Sequence, residues 1–283
     1  MNISATIKLF LPYGDATRLR TGEVSNWTGK ALAAPRTDLE LLLGRDELNN
    51  PGIYLLIGTD TNKGNELAYI GEAEVIRERL KQHKDKDFWT SVIVFVSKDE
   101  NLTKSHIRYL ENRLLDEATK SGRYQLANIN TSGSKLPESD REDMEVFLSR
   151  IRQMLPVLGS EILSPITGSL SVSSQKIKLF YCKNKGAVAI GHRTEKGFVV
   201  FKDSTAVLNE RPSAEQQHPF VVAHRQKLIA DKILVPKDDY YVFMKDTEFS
   251  SPSAAAAVIH GGGANGLTQW KDETGKSLKE LEG

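Results

Sequence analysis

Residues 49–83 read NNPGIYLLIGTDTNKGNELAYIGEAEVIRERLKQH, and this stretch decides the fold of the first half of the chain. Gly52 to Ile57 is a short apolar run, of strand rather than helix length. Residues 60–65 (DTNKGN) are turn formers, so the chain is expected to reverse there, with Leu67 to Gly71 as the return strand. Two strand tyrosines, Tyr54 and Tyr69, can then point their hydroxyls toward one shared face. Glu74 to His83 follows a helical pattern. Ile76, Arg79, Leu80 and His83 fall at i, i+3, i+4 and i+7 and share a face, so Arg79 and His83 lie beside the apolar seam while Arg77 and Lys81 project elsewhere. An arginine held near such a seam is placed to donate fixed hydrogen bonds to a phosphate.

Working outward, Ser91 to Val96 reads as a third strand and Lys104 to Lys120 as a long helix, giving the order β-β-α-β-α of a small α/β domain. That helix carries an oddity. Ile107, Leu110, Glu111, Leu114, Leu115 and Ala118 form one stripe, and Glu111 sits in its middle. An unpaired carboxylate there is costly, so it needs a partner: a basic side chain, or a hard, oxygen-liking divalent cation.

The flanks say less. Residues 3–12 alternate apolar and polar like a strand, and Thr37 or Asp38 can cap a short helix through Leu43. Residues 137–158 form an apolar-striped helix, and residues 159–174, rich in Ser, Gly and Pro, read as a linker. Strands follow near 177–183, 186–192 and 197–202, then a helix over 220–231, a strand over 240–244 and an Ala-rich helix over 252–260. The expected division is a β-containing extension (1–48), the α/β domain (49–134), a connecting helix (135–158), the linker (159–174) and a second α+β domain (175–283). The net charge of +1 excludes a generic polycation, so any nucleic-acid contact must be local; the stretch Arg77, Arg79, Lys81, Lys84, Lys86 is the candidate patch, diluted by Glu74, Glu78, Asp85 and Asp87, with Arg77, Lys81 and Lys84 singled out for DNA. The one cysteine, Cys182, excludes an internal disulfide and reads as a buried thiol. No apolar stretch is long enough to span a membrane, so a cytoplasmic protein is expected.

With these residues in view, the segment resembles the GIY-YIG nuclease family, which includes the incision subunit of the bacterial repair excinuclease and some homing and restriction endonucleases. Both name-giving tripeptides stand unaltered as Gly52-Ile53-Tyr54 and Tyr69-Ile70-Gly71. The family's arginine matches Arg79, its metal-binding glutamate Glu111 and its late asparagine Asn128, with Asn130 the competitor; His83 stands where the restriction branch has histidine. Fourteen residues separate Tyr54 from Tyr69, somewhat more than is usual in the family. The resemblance implies hydrolysis of DNA phosphodiester bonds with one Mg²⁺ or Mn²⁺ on Glu111. It further implies that Arg79 neutralises phosphoryl charge. Tyr69 would orient or activate the attacking water, with His83 the rival base. Tyr54 would sit near that water, Asn128 would tie the site together, and Gly71 would let the backbone pass close to the helix start.

Residues 176–281 resemble a domain of unknown function often attached to such nucleases. It implies no chemistry; Trp270 reads as a core residue, and the alternative is a module for recognising DNA in which Trp270, Lys271, Arg225 and Lys227 could serve. Three readings follow. The first is a metal-dependent endonuclease in repair, restriction or phage defence, as a homodimer or with other repair or restriction proteins. The second is a DNA-binding or modified-DNA recognition protein that keeps the fold without cutting. The third is a regulatory protein whose second half binds another protein. The intact set Tyr54, Tyr69, Arg79 and Glu111 favours the first.

Overall fold

The apolar run after Gly52 does not alternate with polar residues because both faces of that strand are covered. In this computed structural model, which describes residues 4–60, 65–128, 135–164, 178–212 and 214–282, it forms strand β4 (Gly52–Thr59). Ile53 and Leu55 enter one core and Tyr54 and Leu56 the other. The return strand β5 (Glu66–Ala73), the helix α2 (Ile76–Gln82), the strand β6 (Trp89–Ser97) and the helix α3 (Lys104–Ser121) follow in the expected order. The expected turn at 60–65 lies largely outside the described residues.

The chain divides into two units, residues 1–165 and 166–283. In the first, β1 (Ile7–Phe10), β2 (Arg20–Val24) and β3 (Gly29–Pro35) extend the sheet rather than forming a separate extension. The order is β1-β2-β3-β6-β4-β5-β7, with β7 the short segment Gln125–Leu126. β3 pairs with β6 from Gly29↔Ser97 to Pro35↔Ser91, so the Val- and Ile-rich β6 has no free edge. One face packs on α3 and α4 (Glu138–Val157), the helix expected to be a connector; its Phe147, Ile151 and Leu155 share a core with Ile107, Leu110 and Leu114 of α3. The other face packs on α1 (Leu39–Leu43) and α2. The class is mixed α/β, as expected. Trp27, which the sequence left unassigned, is buried between β2 and β3 with its ring 4.9 Å from Phe147.

The second unit holds a four-stranded antiparallel sheet, built from β8 (Phe180–Asn184), β9 (Ala187–Thr194), β10 (Gly197–Val200) and β14 (Thr247–Phe249). A three-stranded sheet is built from β11 (Thr205–Val207), β12 (Leu234–Lys237) and β13 (Tyr240–Phe243). Three of these strands, β11, β12 and β14, escaped the sequence reading; at three or four residues they carry too little pattern. The Ala-rich helix spans Pro252–His260, with Ser251 accepting the Ala254 amide as its cap. Among the described residues no helix is long and apolar enough to cross a membrane.

Candidate active site

The register of β4 on β5 sets Tyr54 opposite Gly71 and Leu56 opposite Tyr69. Side chains two apart on adjacent strands share a face and lie within reach of long rings. Tyr54 and Tyr69 accordingly stack, with centroids 6.0 Å apart. Gly71 makes this stack fit: a Cβ there would overlap the Tyr54 phenol and lie 2.8 Å from Tyr69 Cε1. The missing side chain at Gly71 thus admits the tyrosine ring. Gly52 is restricted by β6, since a Cβ would strike the Phe95 carbonyl.

α2 supplies the other polar groups on this face. Arg79 Nε–H donates to Tyr54 Oη at 3.2 Å, and Tyr54 Oη lies 2.8 Å from His83 Nε2. The Tyr69 hydroxyl bonds within the same group, to Tyr54 and Arg79. Tyr54 is fully buried and Tyr69 half-buried. Burial, and next the neighbouring Tyr69 phenol, push the Tyr54 phenol above its ordinary range, outweighing Arg79. Tyr54 therefore stays a protonated hydrogen-bond donor. His83 is 3% exposed. Burial, with Lys86 and Arg79 adding, lowers it to about 4, so the ring is neutral at pH 7, with its Nε2 hydrogen-bonded to the Tyr54 hydroxyl.

That shift carries a pH dependence. A histidine at about 4 in the folded chain and 6.5 in the unfolded one contributes stability above pH 6.5, lost as pH falls toward 4. The full difference is at most about 3 kcal/mol. His83→Gln keeps an acceptor for Tyr54 and cannot titrate, so urea unfolding of this variant should decline less than wild type between pH 7 and 4. Parallel declines would show that His83 is not held neutral.

Glu111 reaches the site around the outer edge of β5. Successive alternate residues of a strand direct their amides to the same edge. Ala68 O accepts the Ala127 amide at 2.8 Å. Two residues on, Asn128 Oδ1 accepts from Ile70 N at 3.2 Å and its Nδ2 donates to Ile70 O at 2.6 Å, like one more strand residue. Two further on, the Glu72 amide donates to the Glu111 carboxylate. Asn128 thus clamps the strand between Tyr69 and Gly71; Asn130 lies outside the described residues. Burial, and next the nearby Glu72 carboxylate, push Glu111 up to about 7, against the opposing pull of the Glu72 amide, Lys104 and Arg79. The partner required from sequence is therefore present only in part, and the charge is incompletely compensated.

Glu72 was missed by the sequence reading. Its parity with Ile70 was the available signal, because it places both side chains on the α3 face. It pairs with Lys104 at 2.9 Å and Arg108 at 3.8 Å. Of the basic stretch read from sequence, three residues are engaged outside the cluster: Lys81 with Glu78 at 2.8 Å, Lys84 with Glu40 at 2.5 Å, and half-buried Arg77 with the Arg45 carbonyl at 2.9 Å. In the second unit, Trp270 is fully buried and donates to the Pro252 carbonyl at 3.0 Å. Arg225 is 1% exposed and donates to the carbonyls of Val207, Leu208 and Val258. Trp270 is thus a core residue, as the sequence favoured, and buried Arg225 cannot serve the alternative role on DNA; Lys227 and Lys271 are exposed. Cys182 is buried as expected, its thiol pushed up to about 12 by burial.

The chain therefore joins a mixed α/β unit, with an Arg-Tyr-Tyr-His cluster beside a strained carboxylate, to a second α+β unit. Residues 180–282 of that second unit match the family model described as "Domain of unknown function (DUF4357)", in agreement with the resemblance noted for residues 176–281. No curated protein and no solved structure matches the chain.

Proposed function

We propose that the first unit is a metal-dependent DNA endonuclease of the GIY-YIG type. The observation that carries this reading is the convergence of Arg79, Tyr54, Tyr69 and His83 in one hydrogen-bonded group, beside a half-buried Glu111 that feels the charge of Arg79. Such clustering of perturbed groups is typical of sites that do chemistry.

The residues fit a hard divalent cation. Glu111 offers oxygen donors, and its charge, raised in energy by burial and by Glu72, is one that a cation would relieve. Among the described residues no three His, Cys, Asp or Glu side chains form a group that could hold a metal ion. Mg²⁺ or Mn²⁺, when bound at Glu111, would supply Lewis-acid stabilisation of the phosphoryl charge. The remaining work falls to the chain. Arg79 keeps guanidinium protons for a phosphate oxygen. Tyr54, held protonated, fixes Arg79 and His83. Tyr69 is the less buried phenol and is assigned to the attacking water; His83 is shielded and its Nε2 already serves Tyr54, which argues against a direct role as base.

The test is direct. The protein incubated with plasmid, branched and single-stranded DNA should cut at least one of them with Mn²⁺ and none with EDTA. Failure to cut every substrate would remove the nuclease reading and favour the non-cleaving DNA-binding alternative.

A further inference from the structure

The loop that closes the site, residues 83–89, is pinned from outside the motif-bearing segment. Arg36, in the helical turn after β3, donates to the Lys84 carbonyl at 2.7 Å, to the Trp89 carbonyl at 3.3 Å and to the Lys86 carbonyl. Its guanidinium lies 4.5 Å from the Trp89 ring centroid. The loop is also tied to itself: the His83 carbonyl accepts from Trp89 Nε1 at 3.0 Å and from the Lys86 amide at 3.2 Å. A seven-residue connection with this many backbone anchors holds its backbone in one path and so fixes where its side chains start.

One side chain so held is Lys86. Its Nζ sits 4.3 Å over the Tyr69 ring, within cation–π distance. Among the described residues it has no carboxylate within ion-pair distance, although Asp85 and Asp87 flank it in sequence. Lys81 and Lys84, the cations nearest to it in sequence, are both neutralised by glutamates. Arg79 is likewise bonded to neutral groups, Tyr54 and Gln82. Among the described residues, two cations without a carboxylate in ion-pair distance therefore flank Tyr69. An ammonium resting on a ring face keeps N–H donors for an anion.

We infer that Lys86 is a substrate-binding residue of this site, contacting a backbone phosphate of DNA next to the phosphate taken by Arg79. This rests on the endonuclease reading for its substrate. Each phosphate neutralised by a cation steepens the salt dependence of binding by about 0.9 in log K against log salt for duplex DNA.

Fluorescence anisotropy of a labelled DNA duplex in EDTA, across a salt series, reads this without any cleavage. Lys86→Met should raise Kd about tenfold at low salt, and its slope should fall by roughly one. Lys86→Arg should restore most of both, and Lys84→Met should change both less. Lys86 is exposed, so the variants should melt with wild type. A Lys86→Met slope equal to wild type, equal losses for Lys84→Met and Lys86→Met, or no DNA binding by wild type would each overturn the assignment. If wild type binds with the expected slopes but never cuts, the endonuclease reading alone falls.

Discussion

Glu111→Gln should abolish cleavage and, in the same molecule, raise the melting temperature of the metal-free protein at pH 8. The sign follows from linkage. The Glu111 carboxyl titrates at about 7 in the folded chain against 4.5 in the unfolded one. Its stabilising contribution is complete below pH 4.5 and lost as pH rises through 7, so at pH 8 the folded state carries an unfavourable charge. The full difference of about 3 kcal/mol shrinks to about 1–2 kcal/mol once partial solvent screening of a half-buried group is allowed for. Glutamine is nearly isosteric, keeps an oxygen to accept the Glu72 amide and removes the charge. Cleavage should fall by about a hundredfold or more, the scale of losing one preorganised charge-stabilising group. Wild type should also be stabilised by Mn²⁺ through mass action, and the variant much less. Melting curves with EDTA and with Mn²⁺, alongside plasmid cleavage, check all three. A variant that cuts like wild type, or that melts lower in EDTA and responds equally to Mn²⁺, would remove Glu111 from the centre of the site. A gain of stability on disabling a site is the expected signature of groups placed for chemistry rather than for folding.

The second large effect separates two arginines two residues apart. Arg79→Ala should lower kcat/KM about 10²–10³-fold, because it takes away a positioned donor to the phosphate and also the anchor of Tyr54. Arg79→Lys should recover little, since a single ammonium cannot bond Tyr54, Tyr69 and a phosphate oxygen in the fixed planar geometry of a guanidinium. Arg77→Ala should behave differently. Its guanidinium ties α2 to the Arg45 carbonyl, so the loss is one of stability, about 1–2 kcal/mol, with cleavage close to wild type where the variant is folded. Comparable losses of kcat/KM for Arg77→Ala and Arg79→Ala would break the assignment of helix faces on which the site depends. The same comparison tests the hydrogen-bond order Arg79–Tyr54–His83, because uncoupling Tyr54 should make a further Tyr54→Phe change nearly silent in the Arg79→Ala background.

Much of the first unit was legible because its signals are local. The β-β-α-β-α order came from run lengths and from the switch between strand and helix patterning, and the helix-face spacing put Arg79 and His83 on one seam. The stripe position of Glu111 announced a buried charge, and the structure gives it its reason in burial and the Glu72 carboxylate. The division of the chain was less legible. The first 48 residues read as an extension, yet β3 is the neighbour of β6 through residues some sixty positions apart. Long-range pairing leaves no local mark on either strand beyond hydrophobicity. Likewise, Arg225 carries the composition of a nucleic-acid surface, yet its carbonyl partners come from β11, the residue after it and the Ala-rich helix.

Sequence alone determined which residue types stand at which spacing: two tyrosines on paired strands, an arginine and a histidine on one face of the following helix, and a carboxylate amid an apolar stripe. These follow from strand and helix periods, which are properties of the backbone. Only the tertiary structure decided protonation and access: that Tyr54 is buried and stays a phenol, that His83 is neutral, that Glu111 accepts the Glu72 amide at β5, and that Lys86 rests over Tyr69. The reason is physical. Electrostatic energies depend on burial and on separations of a few ångströms between segments far apart in the chain, and neither quantity exists until the sheet and helices have closed.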